Sequence, residues 1–216
     1  MTKKANWTDD YWLLLMQLYL RKPVGVKPQY SRELVSLSLE LHIPPKALYA
    51  RMNQIATLET PRIERLWKTF KDNPRRLSRA SRLLREMKGF GQANAFYDGV
   101  EVNETFELDF RPIDEDPRIT PVMLVMVLDL YFHLTPGTMV PETPEVQDMS
   151  RLIHLPVGDI IELLDIFQHC DPYLNRRDAI FSPLLRPCKQ IWDRYGNNGP
   201  EAVADYASEL KVYFEH

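Results

Sequence analysis

Between residues 46 and 54 stand side chains that could read a nucleic acid. Lys46, Arg51, Asn53 and Gln54 carry hydrogen-bond donors, and Tyr49 carries a ring and a hydroxyl. Asn and Gln amides pair with adenine edges, while Lys and Arg reach guanine or phosphate. Ala50, in their midst, is small enough to let a backbone approach a groove. A second group lies downstream. Arg75, Arg79 and Arg82 recur at i, i+4 and i+7, with Arg76 and Arg85 beside them and Glu86 the one acid within that run. Like charges at helical spacing repel unless an anion answers them. Each phosphate they neutralise releases counterions, so binding through such a stripe is salt-sensitive. Residue types that could do bond-making chemistry are not arranged for it. No glycine-rich phosphate loop, nucleophile elbow or metal-ligand spacing is present. No catalytic residue, cofactor or metal is therefore expected.

Those side chains need helices to present them. Leu48, Met52 and Ile55 form an inward stripe, which predicts a helix over 46–57 and turns Lys46, Tyr49, Ala50, Asn53 and Gln54 outward, with Arg51 on the flank. Ahead of it, Thr8 reads as the cap of a first helix running to about residue 21, and Ser31 caps a second over 32–42. The tight turn His42-Ile43-Pro44-Pro45 joins the second helix to the third, the pattern of a helix-turn-helix unit. Two further helices follow, over 62–72 and 75–88; the second carries the arginines on one face and Leu77, Ala80, Leu84 and Met87 on the other.

The chain states this plan twice. A shift of 112 positions lays Ile119–Asp171 over Trp7–Glu59 without a gap, with eight identities in 53 places, among them Tyr19/Tyr131, Ser38/Ser150, His42/His154 and Pro44/Pro156. The apolar skeleton agrees as well, Leu48, Met52 and Ile55 meeting Ile160, Leu164 and Phe167. The expectation is an all-α chain of two tandem helix-turn-helix-like lobes forming an internal repeat: a basic lobe over 1–91, a linker over 92–118 and an acidic lobe over 119–216. In the linker Val100, Val102, Phe106, Leu108 and Phe110 alternate, which reads as a small β-hairpin or an extended acidic segment. Its carboxylates, Glu101, Glu104, Glu107 and Asp109, read as solvated.

Charge separates the halves. Residues 1–90 hold 18 Lys and Arg against 8 Asp and Glu, whereas residues 91–216 hold 9 against 22, within a chain of net charge −3. Such asymmetry points to double-stranded DNA as partner of the first lobe, or to the halves neutralising each other. On the second lobe's third helix Glu162 and Asp165 face outward where a phosphate would be repelled, alongside Ile161 and Ile166, which require cover. These two isoleucines are the candidate protein-contact residues, met by the linker, the first lobe or another molecule. No apolar run reaches membrane length and the first residues do not form a signal-peptide core, so the expectation is a cytoplasmic chain with no membrane partner. Cys170 and Cys188 read as reduced core thiols.

Residues Trp7-Thr8, Leu18-Tyr19-Leu20, Pro23 with Gly25, Ser36-Leu37-Ser38 and Arg51-Met52-Asn53-Gln54-Ile55-Ala56 together resemble the Myb/SANT-like domain found N-terminal to bacterial HNH endonucleases. The likeness covers about 55 residues and implies a trihelical, DNA-binding-like module. It does not extend to a nuclease, since no Cys pairs or His-Asn-His constellation follow. Related SANT-like domains also bind proteins. The expected function is thus a non-catalytic DNA-binding regulator or accessory factor, the alternative a protein-interaction scaffold built from a duplicated domain.

Overall fold

The structure, a computed structural model, describes residues 7–87, 90, 105–174, 176, 178 and 180–215. Those residues are all-helical, with no strand among them. None of their helices is long and apolar enough to cross a membrane. The chain divides into two compact units at Glu107/Leu108, inside the segment read as a linker, so residues 108–118 belong with the second unit.

The first unit is organised around α1 (Tyr11–Leu20). This helix is apolar on nearly every side, and Trp12, Leu14, Leu15, Met16 and Leu18 are all buried. A helix apolar all round must be covered all round, and α2 (Arg32–Leu41), α3 (Pro45–Ala56), α4 (Pro61–Phe70) and α5 (Pro74–Glu86) each pack on it. Thr8 does not cap α1: its carbonyl opens a turn to Tyr11, and the helix begins there. Ser31 does cap α2, its hydroxyl accepting from the Leu34 amide at 3.4 Å, and Thr60 does the same for α4 at 3.3 Å. α2 ends at His42, which is left-handed at φ 55°, ψ 36°. The buried Ser38 hydroxyl donates to the Ile43 carbonyl and fixes the turn. Pro45 then opens α3 at a position where no amide is required.

The second unit has the same kind of centre. α7 (Pro121–His133) buries Val122, Leu124 through Leu128, Leu130 and Tyr131. Around it pack α8 (Pro144–Ile153), α9 (Val157–Cys170), α10 (Leu185–Tyr195) and α11 (Pro200–Phe214). α8 ends at His154 in the left-handed region, φ 57°, ψ 36°, and Ser150 donates to the Leu155 carbonyl at 2.5 Å. Thr120 and Thr143 precede prolines that open α7 and α8, but neither side chain caps its helix. Cys170 and Cys188 are free thiols; burial pushes Cys170 up to about 11 and Cys188 higher still.

The expected hairpin is corrected in its described part. Residues 105–109 form a short helix, α6 (Thr105–Asp109); Val100 through Glu104 lie outside the described residues. The alternation misled because the carboxylates turn inward. Glu107 is buried and meets His42 Nδ1 at 2.8 Å. Asp109 is buried and accepts both arms of Arg194, at 2.7 and 2.9 Å. Leu108, read as part of an apolar face, is 47% exposed. Buried carboxylates need partners, and theirs lie 65 and 85 residues away.

Candidate nucleic-acid interface

In the first unit α3 sets its stripe of Leu48, Met52 and Ile55 into the core, which leaves the opposite face free. Lys46, Ala47, Ala50 and Asn53 are exposed there. Ala47, absent from the sequence reading, widens the small-residue strip beside Ala50; its place one turn before Ala50 on the same face could have shown it. Tyr49 and Gln54 are half-buried, Tyr49 lying against the core. The Asn53 amide is turned back to the Tyr49 carbonyl at 3.1 Å, an exposed bond that a better acceptor could displace.

Arg51 is placed differently from the expectation. Its guanidinium lies 4.0 Å from the centre of the Trp7 ring and 5.9 Å from that of Trp12. Trp7 in turn packs edge-on against Tyr11 and Trp12, and Tyr11 against Phe90. Burial lowers the Arg51 pKa, and ring faces replace part of the lost water. Arg51 therefore belongs to an aromatic stack at the start of the unit. The face assigned by helical rotation could not reveal a tryptophan 44 residues earlier.

α5 presents Leu77, Ser81 and Leu84 inward and its arginines outward. Arg75, Arg79 and Arg82 border one shallow recess with Ser78 and Pro74. Arg76 lies 5.8 Å from the Phe70 ring centre, and Arg82 stands 3.7 Å from Glu86, both exposed. Arg85 is committed elsewhere, forking onto Glu40 at 2.5 and 2.9 Å. Among the described residues no carboxylate comes within 4.0 Å of Arg75 or Arg79. These two are the cations best placed to meet an external anion.

The corresponding helix of the second unit is closed. Ile166 is fully buried and Ile161 half-buried. α9 packs on α10 as well as on α7 and α8, so a second side of the helix is core. Ile166 is thus no contact residue for another molecule. The connector between α9 and α10 reaches back over the outward face. Arg176 pairs with Asp165 at 2.5 Å, Ser182 donates to Glu162 at 2.8 Å, and His169 Nε2 stands 3.1 Å from Asp178.

No protein-family model, curated protein or solved structure matches the chain.

Proposed function

We propose that the chain is a non-catalytic, DNA-binding protein of two tandem helix-turn-helix-like lobes, in which the first lobe contacts the duplex. The repeat is supported by the two left-handed histidines with nearly equal φ and ψ, and by the two serines that pin the following turn. It is supported again by Trp7, Trp12 and Arg51, whose counterparts 112 positions on are Ile119, Leu124 and Leu163, all fully buried together in an apolar version of the same corner. The resemblance of the first lobe to Myb/SANT-like domains gives α3 the role of recognition helix. Lys46 and Asn53 lie on its open face; Tyr49 and Gln54 flank them, and Arg51 acts through the fold. Arg75, Arg76, Arg79 and Arg82 supply the backbone contacts.

The observation that carries this reading is a bare cationic face on α5, with Arg75 and Arg79 unanswered by any described carboxylate. Titration of the full chain into labelled duplex at several salt concentrations tests it. Arg75→Glu/Arg79→Glu/Arg82→Glu should weaken binding to every sequence and cut the salt slope by about 3. No binding by the wild-type chain at low salt would favour the alternative, a protein-interaction scaffold. That second reading is supported by the second unit, whose third helix is covered and acidic while a wide groove opens elsewhere on the same unit.

A further inference from the structure

Each unit has a groove between its first, second and fifth helices, and the two differ in what spans it. In the first unit two cross-links close it. Gln17 Nε2 donates to Ser78 Oγ at 3.4 Å, and Arg85 forks onto Glu40. The remaining recess is about 430 Å³. In the second unit both cross-links are gone. The places 112 positions after Gln17 and Glu40 hold Asp129 and Leu152; those 126 positions after Ser78 and Arg85 hold Ala204 and Lys211. A carboxylate opposite an alanine makes no bridge, nor does a leucine opposite a lysine. The groove there is about 1130 Å³.

Its floor is apolar, with Met126 and Leu130 one turn apart on α7, Leu134 just past its end and Met149 from α8. Asp129 stands among them with Oδ1 shielded from water and without a hydrogen-bond donor. Glu145 and Glu215 add negative charge at the edges. An open trough with apolar residues at four-residue spacing suits an amphipathic helix better than a compact metabolite, which a pocket must largely enclose.

We infer that this groove receives α5 of a second copy of the chain. α5 carries Arg79 and Leu83 one turn apart on one face, and Met87, expected on the inward face, stands just past its end where the backbone turns extended; Leu83 is 50% and Met87 62% exposed. Arg79 has no carboxylate within ion-pair distance among the described residues. Its guanidinium pairs with the exposed part of the Asp129 carboxylate, whose side chain is 22% exposed, while Leu83 and Met87 lie against the Leu134 side of the groove. The opposite charges of the two halves, +10 over residues 1–90 and −13 over 91–216, draw the surfaces together. Because the two faces differ, copies either exchange them reciprocally or run on head to tail. The contact does not depend on the nucleic-acid reading, although both use Arg79.

Sedimentation of the full chain over a range of concentrations and two salt levels tests the contact, without nucleic acid. Mass should rise with concentration at low salt and less so at high salt. Leu83→Glu changes only an exposed side chain. Leu152→Glu/Ala204→Ser rebuilds the bridges of the first unit, the glutamate facing Lys211. Each variant should raise the dissociation constant about tenfold or more while retaining wild-type helicity and at least the wild-type unfolding midpoint. A wild-type chain that stays monomeric at every concentration in low salt overturns the inference. So does either variant, folded, associating as tightly as wild type.

Discussion

α3 and α9 each follow the second long helix of their unit, and their outward faces differ in what lies over them. Four residues, 57–60, separate α3 from α4, and this short connector cannot reach back over the helix. The outward face of α3 stays open, bearing Lys46, Ala47, Ala50 and Asn53. Fourteen residues, 171–184, separate α9 from α10, and three polar contacts tie them over Glu162, Asp165 and His169. The outward face is therefore bare on α3 and tied to a connector on α9, and connector length together with the outward residues accounts for the difference. In the groove between first, second and fifth helices the contrast is reversed, the first unit being cross-linked and the second open.

The largest effect expected from this comparison is on stability. Ile166→Asp places an ionisable group where relative exposure is 0%, with no partner, and should cost about 4 kcal/mol or more. Ala50→Asp, on the open face of α3, should cost about 0.5 kcal/mol. Chemical denaturation followed by far-UV circular dichroism checks both; with two units the curve is to be read for two transitions. Equal losses would mean that α3 is as covered as α9.

Next in size are the serines that pin the two turns. Ser38→Ala and Ser150→Ala each leave a carbonyl without its hydroxyl donor, and each should lower stability by about 1 kcal/mol, with Ser38, the more buried, at the upper end. A large loss at one site and none at the other would break the equivalence of the turns.

Arg51 offers a smaller and more diagnostic change. Under the proposed repeat the place 112 positions on holds Leu163, which is fully buried and uncharged. Arg51→Leu should therefore cost at most about 1 kcal/mol, the scale of the lost cation–π contact, and leave the salt slope of duplex binding unaltered. A reduced slope for this variant would return Arg51 to the list of phosphate contacts.

Much of this architecture was legible. The helical spacing of apolar residues announced α1 through α5, and Ser31 and Pro45 placed the starts of α2 and α3 to within a residue or two. The outward face of α3 and the arginine face of α5 followed from helical rotation alone. Apart from the threonine caps that do not form at 8, 120 and 143, what escaped was a partner distant in sequence. Glu107 and Asp109 turned inward to His42 and Arg194, Arg51 turned to Trp7, and Ile166 was covered by packing that includes α10. Local periodicity ranks faces by hydropathy and cannot see that an inward carboxylate has been answered. The grooves were equally hidden, since the bridges that span the one in the first unit join residues 45 and 61 apart.

The smallest effect concerns Asp129 and sharpens the groove comparison. In the first unit the amide at this place donates to Ser78; a carboxylate has nothing to donate. His133 does not satisfy it, since its Nδ1 bonds the Asp129 backbone carbonyl at 2.8 Å and stands 3.4 Å from Oδ1. Burial raises the Asp129 pKa, opposed by the His133 charge. A carboxylate whose folded pKa lies above its unfolded value binds its proton more tightly when folded. The associated stability is present below the ordinary carboxylate range and is lost as pH rises through the folded pKa. At neutral pH the folded state thus carries an ionised group it disfavours, and Asp129→Asn should raise stability by about 0.5 kcal/mol in dilute, monomeric solution. The gain should shrink towards about pH 4, because Asp129 becomes protonated there and the folded state no longer carries the disfavoured charge. Thermal unfolding of both proteins at the two pH values measures the difference. An asparagine variant less stable than wild type at neutral pH would show that Asp129 already has its donor within the unit, and that the groove is not waiting for one.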